Sequence, residues 1–122
     1  MLNILSLMKG STTYNVSTVE SLDNAINSAS NGDIINFAAG TYSLTSTLTI
    51  NKSITLQGAD KTTTKIIRDD NASDNFSLIT TSANVTITGL TIQDGYAKYG
   101  GGFYVSSGTL LLSDDIIQNN SA

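Results

Sequence analysis

The sequence has 122 residues, enough for one ordinary domain, and only 13% of them are charged. Its net charge of −4, with six basic residues, excludes the basic patch that a nucleic-acid partner requires. Cysteine and histidine are absent, which excludes a disulfide framework and a thiolate or imidazole metal site, and we expect no cofactor. No stretch reaches the roughly 18 consecutive apolar residues that span a bilayer, so we expect no membrane span in this chain.

Residues 1–11 form an apolar N-terminal segment that stands apart from the rest. Met1–Gly10 lacks the basic start of an export signal, because its only lysine is Lys9. The segment is a clipped leader, a misplaced start or an amphipathic lid over the first structural unit. We favour the lid.

Residues 12–32 are predicted to form an N-terminal cap around one helix at about 18–30. Ser17 and Glu20 have the spacing of a capping box, and Asn31-Gly32 supplies a left-handed stop. A solenoid needs its open end covered, which is the role we assign to this helix. Its apolar residues lie three and four positions apart, at Val19, Leu22, Ile26 and Ala29.

Residues 33–122 contain short runs in which apolar residues alternate with threonine, the period of a β-strand. Comparable strands begin at Ile35, Ile54, Val85 and Leu110, with no helical pattern between them. We expect these strands to form the coils of a solenoid with an aliphatic interior. The predicted interior residues are Ile35, Phe37, Leu48, Ile50, Ile54, Leu56, Ile66, Leu78, Val85, Ile87, Leu90, Ile92, Leu110, Leu112 and Ile117.

The clearest signal is a repeat, because Val85–Ala97 aligns without a gap on Leu110–Ala122, 25 residues later. A fixed period of this length indicates stacked units rather than one globular core. We therefore predict an all-β fold, a right-handed parallel β-helix of about four coils with an N-terminal amphipathic capping helix. Since the sequence stops where the next coil would begin, we expect further coils or end-to-end self-association at Ala122.

Two stretches carry a resemblance to known families. Residues 17–58, with an amphipathic helix followed by NGDIINFAAGTYSL and LTINKSITLQGAD, resemble the opening of right-handed parallel β-helix proteins of the pectate-lyase superfamily. Residues 85–122 resemble the repeats of adhesin-like surface proteins, both the polymorphic outer-membrane type and those of methanogenic archaea. Their GGAI and FxxN signatures appear here with Phe103 in place of alanine and Ile117 in place of phenylalanine.

Carboxylates are the first candidates for chemistry. Enzymes of the resembled superfamily use acidic residues, or calcium held by aspartates together with an arginine or lysine, which makes Asp69, Asp70 and Arg68 weak catalytic candidates. Asp69, Asp70 and Asp74 are weak candidates for a metal site, although calcium requires six to eight oxygen ligands. A solvated turn is the alternative for the whole segment, and also for Asp114-Asp115, which aligns with the bend at Gly89-Leu90.

Aromatic and amide residues suggest binding and modification. Tyr96, Tyr99 and Tyr104 cluster near the Gly100–Gly102 run, and aromatic side chains on a solenoid stack on sugars or anchor a protein partner. Packing is the alternative for some of them. Asn71 and Asn75 head Asn-X-Ser sequons in the polar loop and are the expected glycosylation acceptors if the protein is exported.

These features favour an extracellular or cell-surface, adhesin-like or structural module that presents a face to a glycan or protein ligand without catalysis. The alternative is a polysaccharide-active lyase, esterase or hydrolase of the pectate-lyase-like superfamily. The fold alone does not choose between them.

Overall fold

The computed structural model describes residues 11–72 and 74–122. Within these ranges it contains one helix, α1 (Val19–Ser28), and twelve short strands. The strands are β1 (Thr13–Val16), β2 (Ile34–Phe37), β3 (Gly40–Leu44), β4 (Leu48–Ile50), β5 (Thr55–Gly58), β6 (Thr64–Arg68), β7 (Ile79–Thr81), β8 (Val85–Thr88), β9 (Thr91–Gln93), β10 (Phe103–Val105), β11 (Leu110–Ser113) and β12 (Ile116–Gln118). The described part of the chain contains no helix with the length and apolarity needed to cross a bilayer.

The strands form three parallel sheets that wind as successive coils. Sheet A has the order β1-β2-β5-β8-β11, sheet B has β3-β6-β9-β12, and sheet C has β4-β7-β10. Coil 1 comprises β2 to β4, coil 2 comprises β5 to β7, coil 3 comprises β8 to β10, and coil 4 begins with β11 and β12. The predicted right-handed parallel β-helix of about four coils, with one short helix, is therefore confirmed.

The 25-residue repeat is the actual register of coil 4 on coil 3. Val85 pairs with Leu110 in sheet A, and Ile92 pairs with Ile117 in sheet B. Polar side chains repeat the same offset, since Gln118 Nε2 donates to Gln93 Oε1 at 2.7 Å. Each coil thus satisfies its hydrogen bonds mainly through its neighbour, as expected for a solenoid.

The core is a continuous column of side chains inside the coils. Every predicted interior residue from Ile35 to Ile92 is buried, because alternate residues of each strand point inward. Tyr42, Leu44 and Ile79 are also buried and were not predicted. The Tyr42 ring meets Phe37 edge to face at 5.1 Å, and its hydroxyl donates to Ala38 O at 2.6 Å, so the polar atom is satisfied.

The last coil differs from the predicted interior. Leu112 and Ile117 remain 39% and 43% exposed, whereas their partners one coil earlier, Ile87 and Ile92, are fully buried. Leu110 is only partly buried against the core. The reason is geometric, since a solenoid side chain is covered from both neighbouring coils and these three have a described neighbour on one side only.

Helix α1 covers the first coil with Leu22, Ala25 and Ile26, all of them buried. It is shorter than the predicted 18–30, and its N-cap is Thr18 rather than Ser17. Thr18 has the extended backbone of a cap, and its side chain accepts from the backbone N–H of Ser21. Ser21 therefore takes the capping-box position that we predicted for Glu20.

The far end of α1 is tied to the coils by a lysine. Lys52 Nζ donates to Ile26 O and to Asn27 O, both at 2.8 Å. A cation at a helix C-terminus satisfies free carbonyls and complements the helix dipole.

Candidate functional site

Three surface regions hold side chains that were singled out from the sequence or that gather in the structure. They are the turn between sheets A and B, the loop at 69–75, and the tyrosine surface on coil 3, which we define as Tyr96, Tyr99 and Tyr104.

The turn from sheet A to sheet B is built in the same way in coils 3 and 4. Gly89 and Asp114 both have positive φ, 73° and 56°, and Gly89 N donates to Asp114 O at 3.1 Å. Asp115 Oδ1 accepts from Leu90 N at 2.9 Å, and its Oδ2 accepts from Ser113 N. The predicted turn at Asp114-Asp115 is thus present, with Asp115 serving as a backbone acceptor between coils.

Burial is the main cause that raises the pKa of Asp115 above its usual range, and the bonds from Leu90 and Ser113 only partly offset it. The neighbouring Asp114 carboxylate acts in the same direction. Asp115 is therefore easier to protonate than an ordinary aspartate.

A shallow groove of about 370 Å³ opens beside this turn. Lys61 Nζ lies 2.7 Å from Asp114 Oδ1 and so bridges from coil 2 to coil 4. The Asp114 contact is the largest cause that raises the pKa of Lys61, whereas the Thr62 hydroxyl and backbone hold the pKa of Asp60 below its usual range. The groove is lined by Gln57, Gly58, Ala59, Asp60, Lys61, Thr62, Thr88, Gly89 and Asp114.

The groove residues Asp60 and Lys61 were missed in the sequence. Asp60 and Asp114 each follow the end of a sheet A strand. That shared position shows that they lie on the same edge of the solenoid, but it can be recognised only when the pairing of the strands is known. The lowered pKa of Asp60 and the raised pKa of Lys61 both favour the charged forms. The groove therefore offers charged groups, with Lys61 paired to Asp114, rather than a proton donor whose pKa lies near neutral pH.

The loop at 69–75 is organised by Arg68. Its Nη2 donates to Ala72 O at 2.8 Å and to Asp74 O at 2.9 Å, and its guanidinium lies 5.7 Å from the centre of the Phe76 ring. Asp69 Oδ1 accepts from Asn71 N, which is the hydrogen bond of an Asx turn. The loop thus uses Arg68 to hold backbone carbonyls.

No group of three or more histidine, cysteine, aspartate or glutamate side chains within residues 11–72 and 74–122 is close enough to hold a metal ion. Asp69, Asp70 and Asp74 all fall in that range. The three carboxylates are therefore not grouped as metal ligands, and the catalytic and metal roles of these residues and Arg68 stay predictions.

The tyrosine surface is the most exposed aromatic region of the described chain. Tyr96, Tyr99 and Tyr104 are 52%, 64% and 46% exposed. Lys98 Nζ lies 5.3 Å from the centre of the Tyr99 ring, and Tyr96 lines a cleft of about 360 Å³ together with Lys98 and Asn75.

The glycine run brings the backbones on this surface together. Gly100 has a φ of 63°, and a Cβ added there would meet Phe103 O at 1.9 Å and Tyr104 Cα at 3.7 Å. The turn therefore folds the chain after Tyr99 back against Tyr104. Ser77 Oγ donates to Tyr99 O at 3.0 Å and fixes the turn to coil 2. Tyr99 thus precedes this turn and Tyr104 follows it, and the binding role of the three tyrosines stays a prediction.

The two predicted glycosylation acceptors both lie at the surface. Asn71 and Asn75 are both exposed. Ser77, the third residue of the Asn75 sequon, is 8% exposed and hydrogen-bonded to Tyr99 O. The hydroxyl of the Asn75 sequon is therefore largely covered in the folded chain, and glycosylation at either asparagine stays a prediction.

A comparison with models of protein families identifies the family of this chain. The family described as rhamnogalacturonase A/epimerase, pectate lyase-like, matches residues 15–98, which is more than half of the chain. The chain belongs to this family. The match covers α1, the strands of coils 1 and 2, and strands β8 and β9 of coil 3, and it confirms the predicted membership of the pectate-lyase superfamily. A search of curated proteins finds no match.

Proposed function

We propose that this member of the rhamnogalacturonase A/epimerase, pectate lyase-like family is a non-catalytic module that binds a glycan or protein ligand through the tyrosine surface. The supporting observation is the exposure of Tyr96, Tyr99 and Tyr104, each between 46% and 64%. Large aromatic rings are normally buried, and those left at a surface gain most by covering an apolar ligand face.

The chemistry of the surface suits a sugar ring. A tyrosine presents a flat apolar face for the C–H groups of a sugar and a hydroxyl for its polar edge. Lys98 adds a cation beside Tyr99, and the cleft between Tyr96 and Asn75 adds an amide.

Binding to an immobilised panel of plant and microbial polysaccharides tests the proposal. We expect saturable retention whose affinity falls about five- to thirtyfold for Tyr99→Ala, since one stacked ring contributes on the order of 1–2 kcal/mol. Leu111→Ala is the matched control, because Leu111 is 57% exposed on the outer face of β11. Retention of every tyrosine variant at the wild-type level would refute the proposal.

A second candidate is a polysaccharide-active enzyme, favoured by the family description, which names a rhamnogalacturonase and an epimerase. Its test is product formation from rhamnogalacturonan. Activity lost in Asp69→Ala, Asp70→Ala or Arg68→Ala, with the circular dichroism spectrum unchanged, would replace the binding module by an enzyme.

Location at the cell surface is part of the proposal. It rests on the resemblance of residues 85–122 to adhesin-like repeats. An antibody against the exposed loop at 69–75 would detect the protein in fractionated cells. We expect a surface-associated band, and a band confined to the soluble interior would refute this location.

We also propose that coil 4 is covered by other β-structure, either further coils or a second molecule. Its support is the exposure of Leu112 and Ile117, whose counterparts in coil 3 are fully buried. Light scattering of the purified chain tests the second molecule. We expect an oligomer that forms with rising protein concentration and that Leu112→Glu disrupts. A monomer at all concentrations would refute covering of coil 4 by a second molecule.

A further inference from the structure

The cleft beside Tyr96 takes one of its lining residues from the preceding coil. Its volume is about 360 Å³, and Asn75 lines it together with Tyr96 and Lys98. Asn75 is exposed and belongs to the loop at 69–75, whereas Tyr96 and Lys98 follow β9. An asparagine amide offers a donor and an acceptor side by side, which suits it to recognise a hydroxyl group. The placement of this one side chain therefore affects what the cleft can bind.

Hydrogen bonds hold the backbone on both sides of Asn75. The carbonyl before it, Asp74 O, accepts from Arg68 Nη2 at 2.9 Å. The amide after it, Phe76 N, donates to Tyr96 O at 3.0 Å. Because each peptide unit is planar, holding these two groups restricts both backbone torsions of Asn75. Asn75 is thus held between Arg68 and the backbone of the tyrosine surface.

Arg68 is suited to this task by its own position. It is the last residue of β6 and pairs with Leu44 in sheet B, so its backbone belongs to a sheet rather than to a loop. Its guanidinium lies 5.7 Å from the centre of the Phe76 ring, and Nη2 also donates to Ala72 O at 2.8 Å. A planar guanidinium presents its donors in a fixed arrangement, which a lysine ammonium does not.

The contacts of Arg68 are with the loop rather than with the cleft. Arg68 is not among the residues that line the cleft, and its Nε is buried. Within residues 11–72 and 74–122 it forms no ion pair with a carboxylate, although Asp69 and Asp70 follow it directly in the sequence. Arg68 can therefore influence a ligand in the cleft through the loop that it holds.

We propose that Arg68 is a positioning residue that holds Asn75 at the wall of the Tyr96 cleft, where Asn75 binds a hydroxyl group of the ligand. This inference rests on the proposed function, since both residues act at the same surface. Arg68 acts on the ligand only through Asn75. Loss of either residue should therefore have the same consequence, and loss of both should add nothing.

Hydrogen exchange tests the positioning without any ligand. In the wild type we expect the Phe76 amide to be protected, because it donates to Tyr96 O. Arg68→Gln should reduce that protection at least about tenfold, since the loop loses the bonds that hold it. Lys65→Gln is the matched control, because it makes the same change to a basic residue three positions earlier on β6 and should leave Phe76 unchanged. An unprotected Phe76 amide in the wild type, or equal protection in Arg68→Gln, would overturn the proposal.

A double-mutant cycle in the polysaccharide-binding assay tests the role of Asn75. The protein is produced in a host that does not glycosylate asparagine, so that the Asn75 amide is free. We expect Arg68→Gln and Asn75→Ala each to lower the affinity about fivefold, the effect of one hydrogen bond, and the double variant to equal Asn75→Ala. Arg68→Lys, which keeps the charge without the planar fork, should weaken binding as well. Losses that add in the double variant would overturn the proposal.

The outcomes separate this inference from the proposed function. If Tyr99→Ala weakens binding whereas Arg68→Gln and Asn75→Ala do not, the tyrosine surface still binds its ligand and the positioning role is overturned. If the wild type binds no polysaccharide, the proposed binding of a glycan itself fails, and the role of Asn75 at the ligand fails with it.

Discussion

Ile87 and Leu112 occupy the same interior position one coil apart, and they offer a quantitative test of the stacking. The two residues are register partners, yet Ile87 is fully buried and Leu112 is 39% exposed. Ile87→Ala empties a site enclosed by Leu56 on one side and Leu112 on the other. We expect it to lower the free energy of unfolding by about 4 kcal/mol, within the usual range for a buried aliphatic residue.

Leu112→Ala should lower the free energy of unfolding much less than Ile87→Ala. Only about three fifths of the side chain is buried, and water fills the vacated space, so the loss is about 1 kcal/mol, mostly the transfer term. Urea denaturation followed by far-ultraviolet circular dichroism at low protein concentration measures both. Leu111→Ala, on the outward face of β11, is the control and should stay within about 0.5 kcal/mol of the wild type. Equal costs for Ile87→Ala and Leu112→Ala would contradict the assignment of coil 4 as an exposed end under those conditions.

Three further predictions follow from single contacts. Thr81→Val should raise the free energy of unfolding by about 1 kcal/mol in urea denaturation, because the buried Thr81 hydroxyl has no hydrogen-bond partner among the described residues and valine has the same shape. Lys52→Met should cost about 1 kcal/mol and speed amide exchange in α1, since it removes the bonds to Ile26 O and Asn27 O. Because the pKa of Asp115 is raised, this carboxyl takes up a proton at a higher pH in the folded state than in the unfolded state. The free energy of unfolding of the wild type, relative to that of Asp115→Asn, should therefore rise as the pH falls from 7 toward 4. Unchanged stability or exchange in the first two variants, or a flat pH difference in the third, would contradict these assignments.

The stacking register could be predicted because two different sheets repeat the same spacing. Val85 and Ile92 each recur 25 residues later as an aliphatic residue, and a strand pair that slipped by one residue would expose both columns. The other coils could be ordered only approximately. Their register offsets differ, since the Asn36 to Asn15 bond spans 21 residues whereas that from Asn84 to Ser53 spans 31.

Local sequence did not decide the cap of α1 or the place of Tyr42. Ser17 and Thr18 both carry a hydroxyl suited to an N-cap, and only in the folded chain is it seen that the Thr18 hydroxyl accepts from Ser21 N, at 3.0 Å. Tyr42 carries a polar atom that is costly to bury without a partner, and its acceptors, Ala38 O and Val16 O, become neighbours only in the folded chain.

Of the candidate site residues, some could be predicted from the sequence and others could not. The tyrosines lie close together in sequence beside a glycine run, so the sequence alone places Tyr99 and Tyr104 on either side of that turn. The Lys61 to Asp114 pair joins residues 53 positions apart across two coils. No periodic pattern links those residues, and only the observed lengths of the intervening turns bring them into contact.

The central functional claim is binding without turnover, and one measurement on a single sample tests it most directly. Purified full-length chain is incubated with rhamnogalacturonan, and both the bound fraction and the size distribution of the polymer are determined by light scattering with chromatography. We predict polymer of unchanged length that carries bound protein, with the bound fraction reduced in Tyr99→Ala. Shortened polymer, or new ends that accumulate with time, would show catalysis and contradict the claim.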